Sequence, residues 1–404
     1  MDPRDSASEA AFRAEARTWL ETNARRHRRP PIAPSAIVSE WSPEEERERL
    51  AEARAWQRRK YEAGWAGIAY PREYGGRGGT LVEQLIFLDE ESAFDVPRDA
   101  LVVGLGWCGP ALLIHGSQAQ RLRFLPPMLS GDEVWCQLFS EPGAGSDLAG
   151  LATRAERDGD DWMLTGEKVW TTFAHLSDWG LCVARHDPEL TKHRGLSAFI
   201  VDMRASGLEV RPLRQMTGAA NFNQVRLEEV RVPDDRRVGE VGDGWPVVIT
   251  TFMYERVGGG LAGAGVLAAT DGLPSPTAVE RDRRVRAHIV DRLLYFNRLR
   301  LMTSLHGGGI PGPEGSLGKL LATQMLTSIY DQALFRLGAS GMLAGGDAPA
   351  DGEWQNAFLG TPGLRIGGGT DHIQRNIIGE RVLGLPGEIR VDREGSFRSL
   401  SHPG

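Results

Sequence analysis

Apolar residues change their spacing twice along the chain. Near the start, Phe12, Ala16, Trp19 and Leu20 recur at helical intervals. Ser6 with Glu9, Ser42 with Glu45 and Thr80 with Glu83 each fit a capping box, in which the hydroxyl and the later carboxylate satisfy free amide groups. Pro43 follows the second cap at the first helical position, where its missing N–H removes no bond. Pro71, Gly75, Gly76, Gly78 and Gly79 predict a loop ahead of the third helix.

From about Val134 to Pro233 the pattern shortens to β-branched and aromatic runs broken by turn residues, as at 162–165, 197–201 and 225–227. Asp158-Gly159-Asp160 reads as a hairpin turn, and the strand spacing predicts a small sandwich or barrel. Helical spacing then returns over 287–305 and 316–337, with a Gly- and Pro-rich linker over 307–315. The expected fold is mainly α with a middle β domain: a helical domain over 1–132, a β domain over 133–238 and a helical bundle over 239–404.

Composition agrees with a soluble multidomain protein of 404 residues, 41% hydrophobic and 25% charged. A formal charge of -7 without clustered Lys and Arg argues against a nucleic-acid partner. Cys108, Cys136 and Cys182 are too scattered for a disulfide framework or zinc site, and the histidines show no metal spacing. Acidic Asp2, Asp5 and Glu9 stand where an export signal would be cationic, and no apolar run is long enough for a membrane span. The expected location is the cytoplasm.

The chemistry concentrates at Gln137-Leu138-Phe139-Ser140-Glu141-Pro142-Gly143-Ala144-Gly145-Ser146-Asp147. Glycines there let backbone amides approach an anion, with Ser140 and Ser146 supplying hydroxyls. Two other glycine patterns are decoys. Gly258 to Gly263 fits G-x-G-x-x-G, but Tyr254-Glu255-Arg256 precedes it where a dinucleotide fold needs a buried strand. Lys319 is followed by Leu320 where a phosphate loop needs Ser or Thr.

The string Ser140-Glu141-Pro142-Gly143-Ala144-Gly145-Ser146-Asp147 resembles the first signature of the acyl-CoA dehydrogenase family. The resemblance continues through Gly166-Glu167-Lys168-Val169-Trp170, Gly244-Trp245, Ile373-Gln374-Arg375-Asn376 and Glu380-Arg381-Val382-Leu383-Gly384. It implies FAD as cofactor, an acyl-CoA substrate, an electron-transfer flavoprotein as acceptor and the same helix–sheet–helix order. It also implies that Gln137, Leu138, Ser140, Gly145 and Ser146 contact FAD, with Ser146 near the thioester as well. Trp170, Thr171 and Thr172 match the second flavin segment, while Arg281, Thr370 and His372 match positions that serve a flavin from the C-terminal bundle.

Desaturation removes an α-proton as a hydride leaves the β-carbon, so a carboxylate base in a dry pocket is required. Many relatives carry it late, in a Glu-Gly-Thr segment; here Gly368 stands in its place before Gly369-Thr370. A second family pattern, Glu-Arg on the first helix of the bundle, matches Glu255 as base and Arg256 as a contact to the CoA portion. Glycines 258, 259, 260, 263 and 265 follow, where small side chains either widen the acyl cavity or allow close helix packing, the cavity being the favoured reading. Two family segments for the adenine half of FAD depart from pattern: Arg284 stands for Phe, Phe335 for Gln and Ala339 for Gly. A homodimer or homotetramer is the expected assembly. An α2β2 partner subunit with an incomplete site, and a flavin oxidase or monooxygenase on the same fold, remain as alternatives.

Overall fold

The three capping boxes each start a helix in the computed structural model of the chain, which describes residues 5–29, 31–33, 41–97, 99–258, 263–274, 277–306, 312–389 and 395–401. The side chains of Ser6, Ser42 and Thr80 accept the amides of Glu9, Glu45 and Glu83, opening α1 (Ala7–Asn23), α2 (Pro43–Glu62) and α3 (Leu81–Glu91). Their faces close around Phe12, Trp56, Trp65 and Phe87, with Trp65 stacked on Phe87 at 5.1 Å between ring centroids. α4 (Gly109–His115) follows a π-helical turn, Gly104–Cys108, and α5 (Gln118–Ser130) ends where Gly131 turns left-handed at φ 82°.

The middle strands are β1 (Trp135–Leu138), β2 (Arg154–Asp158), β3 (Asp161–Thr172), β4 (Trp179–Arg185), β5 (Leu196–Asp202), β6 (Leu208–Leu213), β7 (Phe222–Pro233) and β8 (Arg237–Val238). The expected hairpin joins β2 to β3, with Asp158 opposite Asp161 and Gly159 at φ 61°. The strands form one hydrogen-bonded sheet, ordered β6-β7-β3-β2-β4-β5-β8 with β1 on β4, where the sequence pattern predicts a sandwich or barrel. One face buries Leu138, Leu164, Phe199, Val225 and Leu227. Residues of the other, including Leu181, Val183 and Ile200, meet Phe124 and Leu125 of α5 and two valines, Val247 and Val248.

Those valines belong to α6 (Gly244–Gly258), which touches α4, the Gly104–Cys108 turn and β5 on the way to the bundle. His115 of α4 bonds Thr250 of α6 at 2.8 Å. The bundle continues with α7 (Gly263–Ala269), α8 (Ala278–His306), α9 (Gly315–Leu337), α10 (Glu353–Ile366) and α11 (Asp371–Ile377); a short α12 (Phe397–Ser401) follows. α8 begins well before residue 287 because Thr277 and Glu280 form a further capping box, with Glu280 N donating to Thr277 Oγ1 at 3.3 Å. The predicted linker lies partly outside the described residues, as do Gly259 and Gly260. A Cβ built on Gly265 would meet the ring of Pro31 at 3.5 Å, an ordinary van der Waals contact.

Candidate active site

β1 delivers the glycine loop to a fixed place, and the fixing residue is Glu141. Its carboxylate accepts the amides of Ala152 at 2.6 Å and Thr153 at 2.9 Å, and the ammonium of Lys168 at 2.8 Å. Lys168 is fully buried in β3 and spends its other donors on the carbonyls of Phe139, at 3.1 Å, and Val183, at 2.8 Å. Burial is the largest influence and pushes the Glu141 carboxyl up, but the Lys168 charge and the hydrogen bonds from Lys168, Thr153 and Ala152 together hold the group below its ordinary value. Val169 N then donates to Ser140 O at 2.8 Å, so the two predicted flavin segments run side by side. Sequence reasoning gave neither Glu141 nor Lys168 a role; a lysine among the apolar positions of a strand was the available signal.

At the end of β3 the register against β7 shifts between Lys168 and Thr171, and Trp170 adopts φ 60°. A left-handed tryptophan stores strain, and this one also leaves 60% of its surface exposed, edge-on to Phe222 at 6.0 Å. Thr172 is half-buried beside it, whereas Thr171 is buried with its hydroxyl unpartnered. In the neighbouring loop, Gly143, Gly145, Ser146 and Asp147 are exposed, and a Cβ on either glycine would meet nothing within 4 Å. Exposed indole, open glycine backbone and nearby hydroxyls fit a flat, polar-edged ring with a phosphate tail such as FAD. Gln137 and Ser140 are half-buried at this edge. Leu138 differs: its side chain is fully buried in the sheet core, so its backbone is what it can offer.

Glu255 stands on the last turns of α6, whose Phe252 meets Phe139 edge-on at 6.0 Å. Across from it the chain passes Gly368 at φ 63°, and a Cβ built there would lie 2.8 Å from Glu255 Oε1. Desolvation raises the Glu255 carboxyl to about 7, against the opposing pull of Arg256 and Lys319. Arg256 packs against Gly315 of α9 and is itself lowered by burial, with Arg381 nearby. Thr370 caps α11 by accepting from Ile373 N at 3.2 Å, and His372 is exposed on that helix. Arg281 is exposed on α8, which packs on α9, α7 and α3. The chain thus gathers the loop, Trp170 and Thr172 into one group and Glu255, Arg256 and Gly368 into another, with Arg281 and His372 presented outward. Among the described residues no cluster of three metal-ligating side chains occurs, and no helix is long and apolar enough to cross a membrane.

Family profiles match three successive stretches: the acyl-CoA dehydrogenase N-terminal domain over 6–132, middle domain over 136–230 and C-terminal domain over 242–383. Acyl-CoA dehydrogenase IpdE1 of Mycobacterium tuberculosis is 36% identical over 386 residues, covering 94% of this chain and 98% of that protein. Among solved structures, the Tcur3481-Tcur3483 steroid ACAD is 26% identical at a TM-score of 0.77, covering 96% of this chain and 100% of that one. The ChsE4-ChsE5 complex from Mycobacterium tuberculosis is 28% identical at 0.75, covering 96% and 100%. With all three profiles matched in order and a relative aligned from end to end, the chain belongs to the acyl-CoA dehydrogenase family.

Proposed function

We propose that the enzyme desaturates an acyl-CoA thioester between its α and β carbons, with Glu255 as the base. One observation carries the assignment: the Glu255 carboxylate, raised to about 7 by desolvation, rests against a glycine that leaves its volume free. A carboxylate with that affinity is ionised often enough to take a proton and basic enough to hold it. FAD, when bound, supplies the hydride acceptor. Glu255 receives the α-proton on its carboxylate, and the double bond forms from the electron pair left on the α-carbon as the β-hydrogen departs. Arg256 supplies a fixed positive charge for the CoA portion, and Ser146 a hydroxyl at the thioester end. Trp170 would cover one edge of a bound flavin ring, and Thr172 would offer its hydroxyl to the ring's polar edge. Electrons leave to an electron-transfer flavoprotein.

The acyl group is proposed to be bulky and polycyclic, because a full-length structural neighbour is described as a steroid ACAD. A panel of linear, branched and polycyclic acyl-CoA thioesters with an artificial electron acceptor tests both parts. Turnover of none of them by flavin-loaded protein would reject the reaction, and preference for short linear chains would reject the substrate class.

The assembly reading has two forms. A homo-oligomer would bring Arg281, Thr370 and His372 of one copy to the flavin of another. An α2β2 pair with a second chain is favoured by Arg284, Phe335 and Ala339 at adenine-side positions and by the description of a neighbour as a two-protein complex. Purified by itself, the chain should be yellow in the first case and colourless in the second.

A further inference from the structure

We infer that Lys319 is a positioning residue for proton abstraction: its ammonium anchors the glycine turn against which the Glu255 carboxylate rests and supplies the positive charge beside it. The inference rests on the reading of Glu255 as base.

The geometry begins with two carbonyls. Lys319, on α9, donates to Gly369 O at 2.7 Å and to Arg365 O at 3.4 Å. Arg365 lies in the last turn of α10, where carbonyls lack helical partners and attract a cation. From the other side Gln374, fully buried, donates its amide to Gly368 O at 2.8 Å and Gly369 O at 3.2 Å. Both glycines are left-handed, at φ 63° and 88°. Neither has room for a side chain, since Glu255 fills the space at Gly368 and Gln374 fills it at Gly369. The turn is therefore a wall whose place is set by Lys319 and Gln374, and whose free side receives the carboxylate.

The charges around this point are few. Arg256 on α6 and Lys319 on α9 both favour the ionised Glu255. Arg381, in the π-helical turn Ile378–Val382, acts on Arg256, while Arg365 is committed to Asp371 at 2.5 Å. Toward the N-terminal helices the titratable groups are Tyr254, Tyr70 and Cys108, all kept neutral by burial. Lys319 is itself lowered by burial, which Asp371 and Glu255 oppose. Without it, desolvation of Glu255 would be countered from Arg256 alone among these groups, and the carboxyl would rise further.

The test uses the best acyl-CoA from the panel and reads two pH profiles: kcat/KM, and exchange of the substrate α-proton in D2O. In Lys319→Met the acidic limb of both should move upward by about one pH unit. Lys319→Gln, which keeps a donor for Gly369 O without the charge, should move it likewise and serves if the Met variant does not fold. Lys319→Arg should bring the limb back. A loss equal at every pH in the neutral variants, or a limb unmoved by them, would overturn the role. Glu255→Gln run alongside separates the two readings: if that variant still exchanges the α-proton, the base assignment fails, whereas inactive Glu255→Gln with an unmoved limb in Lys319→Met removes Lys319 alone.

Discussion

The Glu255 carboxylate and the α-face of Gly368 occupy one volume: a methyl group on the glycine would come within 2.8 Å of Oε1. In this chain the glycine at the late position, where many relatives carry the base, leaves room for a carboxylate that comes from α6. Gly368→Ala tests the reciprocity. The left-handed backbone, φ 63°, makes alanine unfavourable by about 1–2 kcal/mol. The carboxylate, at the end of a flexible side chain, yields to the new methyl and leaves its working place. Turnover should fall by about tenfold or more while flavin absorbance is retained. Unchanged kcat would mean that the carboxylate works from elsewhere.

Glu255→Gln keeps the shape and removes the basicity. The expected loss in kcat is roughly 10²–10⁴, with substrate still bound, because the positioned base is gone while the CoA contacts remain. Binding is read by perturbation of the flavin spectrum on adding acyl-CoA. Near-full turnover would remove Glu255 from the mechanism.

The same carboxyl predicts two pH effects of definite sign. Activity requires the ionised form, so kcat/KM should fall as pH drops through about 7. Stability runs the other way. The folded value, about 7, lies above the ordinary 4.5, so the contribution of this group is fully present below 4.5 and lost as pH rises through 7. Glu255→Gln should accordingly raise Tm at pH 8 and leave it nearly unchanged at pH 4.5, a gain of at most about 3 kcal/mol. Equal Tm for the two proteins at both pH values would show that the carboxyl is not desolvated.

The Lys168–Glu141 pair gives a stability prediction at the other half of the site. Lys168→Met leaves Glu141 buried without its cation, a loss of about 3–5 kcal/mol. The loop that carries Ser140 and Ser146 hangs on that carboxylate, so flavin retention should fall with Tm. Adding Glu141→Gln removes the stranded charge and keeps one of the two acceptors, for either the Ala152 or the Thr153 amide, and should recover part of the Tm. If the double variant is no more stable than the single one, the pair acts by packing and not by charge.

Local chemistry was the legible part of this sequence. Caps at Ser6, Ser42 and Thr80 and the hairpin at Gly159 depend on residues within a few positions of each other, and each formed where the pattern put it. The family strings named the loop, Trp170 and Glu255. The left-handed bulge at Trp170 was not legible, because it arises from a register shift against β7. Nor was the wall behind Glu255, which needs α6, α9 and the Gly368 turn to meet in space. Gly265 lies beside Pro31, a neighbour far away in sequence that no local pattern announces.

The surface of α8 leads to the last prediction. Val285, Ile289, Leu293 and Phe296 repeat at one-turn spacing and are each more than half exposed, which a monomer of this family has no reason to display in water. A second subunit covering that stripe would bury more than about 2,000 Å², as obligate interfaces do. Light scattering should thus give at least twice the chain mass of 44.2 kDa. Ile289→Asp with Leu293→Asp places two charges in the stripe and should shift the protein toward monomer without unfolding it, since both positions face outward. If Arg281 and Thr370 serve a flavin across the boundary, the same variant loses its yellow colour as it dissociates. If a different chain supplies the adenine side, the wild-type chain is colourless whatever its mass, and flavin appears on co-expression with that chain. A wild-type monomer that holds flavin and turns over would contradict both assemblies and make the stripe a surface for some other partner.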